Sequence, residues 1–230
     1  MGLNIILLAC RSNKHEGDLK AYPSYLSEQK GKPIVQKHVE SFDRLNPNRI
    51  ICIFSREDSA RYHLDNLVAQ ISPVAMVLKV YGETKGAACT ALLASHYIDN
   101  DEELLIVNVN ELIDADLGDV VNHYRASAAD AGVLTFESIH PRYSFARIDG
   151  CKNVVEVAEK NPISRNALAG FFWFSSGKYF VGAAKRMIRN NVHVSNIYYI
   201  APSLNELILN HKKISVFEID GEQYQPLKDF

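Results

Sequence analysis

Five side chains able to ligate a cation or hydrogen-bond a polar ligand crowd one short stretch: Asn108, Asn110, Glu111, Asp114 and Asp116. Carboxylate and amide oxygens are the donors a hard cation such as Mg2+ takes, and Asp114 and Asp116 form a D-x-D. The stretch follows directly on Leu104, Leu105, Ile106 and Val107, four aliphatics that read as a strand buried on both faces of a parallel sheet. Ligands of open α/β sheets bind just beyond the carboxyl ends of such strands. The same residue types also make plain loops, and Asp116 stands where a helix N-cap is expected.

The elements that must hold this stretch can be traced along the chain. Residues 3–9 are a continuous aliphatic run, the first buried strand. It enters a long polar segment containing Arg11, Lys14 and Lys20, too long for a simple strand–helix turn; such loops inside domains are usually functional or disordered. Ile34, Val35, His38, Val39 and Phe42 recur at helical spacing. Strands are expected at 49–54 and 74–80, with helices at 58–71 and 87–98. A helix at 116–128 and a strand at 131–138 follow. Beyond these the character shifts to short strands at 143–148, 154–158 and 169–174, two helices at 180–189 and 203–210, and a last strand at 214–219. The alternation predicts an α/β, Rossmann-like doubly wound, mostly parallel sheet with a small mixed β insertion, and residues 1–230 as a single domain.

Composition narrows the classes. The 230 residues are 47% hydrophobic and 23% charged, with a formal net charge of −2, which gives no electrostatic case for a nucleic-acid or membrane-surface partner. Cys10, Cys52, Cys89 and Cys151 are scattered; the first three sit among apolar residues and read as buried thiols, not as bridges or zinc ligands. The apolar N-terminal run is too short for a signal peptide or a membrane span, so a reducing cytoplasm is expected. The oligomeric state stays open.

The order of pieces resembles, over nearly the whole chain, the nucleotidyltransferases that make nucleotide-activated sugars and alcohol phosphates. Their first strand leads into A-G-x-G-S/T-R, then P-K-P-L and G-K-P. Here the matching residues are Ala9-Cys10-Arg11-Ser12-Asn13-Lys14, then Pro23-Ser24, and then Gly31-Lys32-Pro33. Thr84-Lys85-Gly86-Ala87-Ala88 matches the segment that faces the nucleotide base, where a glycine permits close packing of a flat ring and free helix N–H groups favour acceptors. Glu159-Lys160, with Ala169-Gly170 after it, matches the E-K-P segment and the strand that follows. Segments 140–145 and 148–150 are similar to members serving capsule and surface polysaccharides.

The resemblance implies a set of roles. Arg11, Lys14 and Lys160 would be the catalytic cations, and Ala9, Cys10, Ser12, Asn13, Thr84, Gly86, Ala87 and Asn108 would bind the nucleotide. Glu159, Lys160 and Gly170 would bind the acceptor, a phosphorylated sugar or small alcohol. Asn110 and Asp220 would hold Mg2+. Several positions depart from the family pattern. Cys10 and Ser12 replace glycines that let backbone N–H groups approach a triphosphate. Ser24 replaces a lysine, and Asn110 replaces the aspartate that binds the metal, so charge is lost from both the phosphate and the metal positions. Three readings follow. The first is an enzyme transferring a nucleotidyl group from an NTP with release of pyrophosphate. The second is a pseudoenzyme that binds a nucleotide or sugar phosphate. The third is a metal-dependent glycosyltransferase using Asp114 and Asp116.

Overall fold

A computed structural model describes residues 2–10 and 22–227. Among these, nine strands form one sheet flanked by helices on both faces. β1 (Leu3–Leu8) lies between β4 (Arg49–Ser55) and β6 (Glu103–Asn108), parallel to both, and β5 (Ala75–Val80) extends the sheet beyond β4. Side chains alternate between two buried layers. Ile5, Leu7, Ile50, Cys52, Leu105 and Val107 pack on one side, with α1 (Ile34–Asp43), α3 (Leu64–Ile71) and α6 (Leu117–Ala126). Ile6, Leu8, Ile51, Ile53, Leu104 and Ile106 pack on the other, with α4 (Ala87–Leu92), α7 (Gly177–Arg189) and α8 (Ser203–Leu209). Two apolar faces per strand are why these segments read as continuous aliphatic runs. None of the helices among the described residues is long and apolar enough to cross a membrane.

The element that shapes the ligand end is β11 (Asn166–Phe174). Phe171 to Phe174 pair antiparallel with Val107 to Leu104 of β6. Toward its N-terminus the strand leaves β6: Ala167 pairs instead with Phe145 of β9 (Ser144–Ile148), which forms a hairpin with β10 (Val154–Glu159). On its opposite edge β11 pairs with β8 (Ala131–Glu137), the register shifting between Leu168 and Phe172; β8 in turn pairs with β12 (Ile214–Glu218). Gly170 sits at this irregularity with φ +66, and a Cβ there would lie 2.7 Å from Glu111 Cγ and 3.1 Å from Asn108 Nδ2. A bulge of this kind bends its strand, and here it opens a gap between the carboxyl end of β6 and the β9–β10 hairpin.

The expected strands and helices are present, with differences that have local causes. The helix expected over 58–71 is two: α2 (Arg56–Tyr62), capped by the Ser55 hydroxyl accepting from the Asp58 N–H at 3.1 Å, and then α3. His63 between them is left-handed, φ 51, which ends one helix before the next begins. The helix expected over 87–98 likewise breaks into α4 and α5 (Ser95–Ile98). The polar stretch after β6 is not all loop: β7 (Glu111–Ile113) pairs antiparallel with β13 (Tyr224–Pro226). A hairpin of β2 (Glu28–Gln29) and β3 (Lys32–Pro33) precedes α1. Cys52 is buried while Cys10 and Cys89 are half-buried, and all four cysteines are free thiols.

Two predictions test this scaffold. His38 on α1 is 6% exposed, and its Nε2 lies 3.1 Å from the Val109 carbonyl oxygen. A carbonyl can only accept, so Nε2 carries the proton of a neutral ring. Burial, helped by the nearby Lys37 charge, lowers its pKa from 6.5 to about 4. The folded chain therefore refuses a proton that the unfolded chain takes up: the stability is full above pH 6.5 and is lost as pH falls toward 4, by about 3 kcal/mol at most. Thermal melting of the wild type should fall more steeply across that window than melting of His38→Gln; parallel profiles contradict the assignment. Gly170→Ala should destabilise by about 1–3 kcal/mol in urea unfolding, because it combines a left-handed backbone with a contact under 3 Å. A variant as stable as the parent would mean the bulge relaxes freely.

Candidate functional site

The gap beyond β6 is a cleft of about 300 Å³. Asn108 ends β6 and Gly170 interrupts β11, so these two meet Glu111 on its floor. Ser144 opens β9 and Glu159 closes β10; they are paired across the hairpin, and the Ser144 hydroxyl donates to the Glu159 carboxylate. Arg142, Tyr143 and Lys160 complete that wall, while Ile197, Tyr199, Ile200 and Ala201 approach from the segment before α8, and Ala87 from the start of α4.

Lys160 is held in an unusual way. Its backbone is left-handed, φ 55, and its N–H donates to the Tyr143 carbonyl at 2.9 Å. Its ammonium lies 5.2 Å from the centre of the Tyr199 ring, a cation–π contact. A non-glycine residue held in this conformation costs about 1–3 kcal/mol and persists where the surroundings impose it, as they often do at ligand sites. Arg142 lies over Tyr143, 4.5 Å from the ring centre, and donates to that residue's hydroxyl. The cleft thus offers two carboxylates, two cations and two phenol rings around one small volume. Such a mixture suits a ligand with an anionic end and a donor-rich end.

The residues singled out in the sequence distribute unevenly. Asn108, Glu159, Lys160, Gly170 and Ala87 come together in this cleft. Ala9 and Cys10 follow β1, whose end pairs with Asn108, so they share that end of the sheet. Arg11, Ser12, Asn13 and Lys14 lie outside the described residues. Thr84 is engaged locally, its hydroxyl 2.6 Å from the Thr90 hydroxyl and 3.3 Å from the Gly86 carbonyl. A Cβ at Gly86 would lie 2.6 Å from the Tyr198 carbonyl oxygen, so the glycine lets that backbone come close at the start of α4. The N–H of Ala88 also donates to Tyr198, at 3.0 Å, and is not open to a ligand.

The two residues expected to hold metal do not join. Asn110 Oδ1 accepts from the Ser24 hydroxyl at 3.2 Å, so two positions that carry charge in the family pattern form one neutral contact. Asp220 caps a 3-10 turn, paired reciprocally with Gln223, and lines a different cleft with Glu137, Asp149 and Glu218. Asp116 is the N-cap of α6, its carboxylate accepting from Gly118 at 2.8 Å and Asp119 at 3.2 Å. Among the described residues no group of three His, Cys, Asp or Glu side chains could hold a metal ion.

Sequence reasoning gave Arg142 and Tyr199 no individual role, while Glu111 was one of the five polar side chains expected at the end of β6. Segment 140–145, which holds Arg142, was marked only by its similarity to members serving capsule and surface polysaccharides. Tyr199 carried no such mark, since only folding brings it over Lys160.

Comparison with known proteins gives the same outline. The nucleotidyl transferase family model matches residues 20–213. A curated relative, the UTP–glucose-1-phosphate uridylyltransferase AglF of Haloferax volcanii, is 24% identical over 223 residues, covering 94% of this chain and 88% of its own. Among solved structures, a nucleoside-diphosphate-sugar pyrophosphorylase from Vibrio cholerae RC9 superposes with TM-score 0.78 at 20% identity, covering 96% of this chain and 95% of that one. A UDP-glucose pyrophosphorylase complexed with UDP-glucose gives 0.77 at 14% identity, with coverages of 96% and 91%. These solved structures support the α/β fold, and the family match extends across most of the chain: it belongs to the nucleotidyl transferase family.

Proposed function

We propose that this chain binds a phosphorylated sugar or small alcohol in the cleft between β6 and the β9–β10 hairpin, and that its reaction is nucleotidyl transfer from an NTP, in service of surface-polysaccharide synthesis. The observation that carries the reading is the convergence of Asn108, Glu159, Lys160 and Gly170, from three strands and a turn, on one cleft. Lys160 neutralises the acceptor phosphate, while Glu159, steadied by Ser144, accepts hydrogen bonds from its hydroxyl or amino groups. An oxygen of that phosphate attacks the α-phosphorus of the NTP. The bond from the α-phosphorus to the β-phosphate bridge breaks, and pyrophosphate leaves with its charge countered by the basic loop of Arg11 and Lys14. A divalent cation of the kind nucleotidyltransferases use would, when bound, neutralise charge developing on the NTP phosphates.

A second reading is favoured by a specific observation. The Ser24–Asn110 contact is neutral where the resemblance places a lysine and an aspartate. Loss of even one stabilising donor in a transfer reaction costs about 10²–10³ in rate. The chain then retains acceptor binding with transfer slow or absent.

The test is a pyrophosphate-release screen of all common NTPs against sugar and alcohol phosphates, run beside calorimetry of the phosphates alone. Weak or absent release with measurable phosphate binding is expected. Brisk release with a common NTP removes the second reading, and failure of every phosphate to bind removes both. The double change Asn110→Asp with Ser24→Lys restores one charge of each sign at the contact and should raise release at least about tenfold. No gain would mean that Cys10 and Ser12, not the missing charges, limit transfer.

A further inference from the structure

Lys160 is exposed, and none of the ion pairs among the described residues includes it. An ammonium on a free four-carbon stem samples many rotamers, so it needs a contact to stay over one small volume. The contact here is the Tyr199 ring, 5.2 Å from the ammonium, and both residues line the cleft. The difference between a ring and an acid is chemical. A carboxylate would neutralise the charge and accept hydrogen bonds from the ammonium, whereas a π face attracts the cation with no lone pair to claim its three donors. Tyr199 is itself held by its neighbours. The N–H of Tyr198 donates to the Lys85 carbonyl at 2.7 Å, and its carbonyl accepts from the Ala88 N–H at 3.0 Å, so this backbone is fixed on both sides to the segment that opens α4. The Tyr198 hydroxyl donates to Asn191 Oδ1 at 2.9 Å. Ile200 and Ala201, which follow, are buried in the layer that α7 and α8 cover.

We infer that Tyr199 is a positioning residue: its ring face holds the Lys160 ammonium over the cleft with charge and donors free, so the anion end of the cleft is set before an anion arrives. This rests on the reading of the cleft proposed above, and Tyr199 acts through Lys160, not on the ligand. A dianionic phosphate takes several charge-assisted hydrogen bonds at once, which an ammonium already bound to an acid supplies less well. The ring face does this work and the phenol oxygen has no part in it.

The experiment is a double-mutant cycle read by calorimetry of glucose 1-phosphate into the full chain. Tyr199→Leu should weaken binding about fivefold, while Tyr199→Phe, which keeps the ring, should stay within about twofold of the wild type. In a Lys160→Met background, where the stem remains and the charge is gone, Tyr199→Leu should change affinity by less than about twofold. A merely structural role would cost the same in both backgrounds. A loss in Tyr199→Phe equal to that in Tyr199→Leu would assign the effect to the hydroxyl. Either result overturns the inference. If Tyr199→Leu does not fold, or Lys160→Met binds too weakly to read, pentafluorophenylalanine placed at position 199 decides it. That ring keeps its shape but loses its negative face, so affinity should fall about fivefold, and unchanged binding contradicts the inference. A wild type that binds no glucose 1-phosphate removes the cleft reading and this inference with it, a result distinct from a wild type that binds and a cycle that shows no coupling.

Discussion

The site depends on one packing constraint, the close approach of β11 to the end of β6 at Gly170. With no side chain there, Asn108 and the stem of Glu111 press against backbone at distances a Cβ would forbid. The left-handed turn that glycine permits swings the first half of β11 off β6 and onto β9. A sheet that continued straight would cover the end of β6. Because it diverges, the β9–β10 hairpin stands away from β6 and carries Ser144, Glu159 and Lys160 to the far side of a cleft. The pairing of β7 with β13 then fixes Glu111 from below and brings Tyr224 to it.

This arrangement divides the site into halves of different character. The half proposed to take the acceptor is built: its carboxylates are hydrogen-bonded, its cations lie against tyrosine rings, and its backbone turns are held by pairing. The half expected to meet the triphosphate has one neutral contact, Ser24 on Asn110, where the family pattern has charge, and the Ala88 N–H at the start of α4 is engaged by Tyr198. Electrostatic stabilisation of a transferring phosphoryl group needs charge aimed at where charge develops. Pre-organisation for binding an acceptor does not. The two halves can therefore be altered independently.

Much of the fold was legible in the sequence because buried parallel strands leave an unmistakable mark. Residues 3–9, 49–54 and 104–107 are aliphatic on both faces since both faces are covered by helices. Asp116 was legible as a cap from its place before a helical run. Glu159 and Lys160 were legible only through resemblance, since an adjacent acid and base is ordinary surface chemistry. The break at His63 was not legible, because nothing in the local pattern announces a left-handed histidine. The β7–β13 pair and the Tyr199 contact were illegible for a simpler reason: each joins residues far apart in the chain, and each strand is too short to carry a period. The Tyr198 backbone beside Gly86 was not legible because a glycine records only that space is needed, not what fills it.

The central claim is that the acceptor half stands ready without nucleotide or cation. The most direct measurement is calorimetry of glucose 1-phosphate into the chain, once in EDTA and once with Mg2+ and a non-hydrolysable NTP analogue. The account predicts saturable one-site binding in EDTA, with an affinity that changes little when analogue and cation are added. Binding that appears only after both are present would contradict it, because the cleft would then be assembled by the nucleotide and not by the fold.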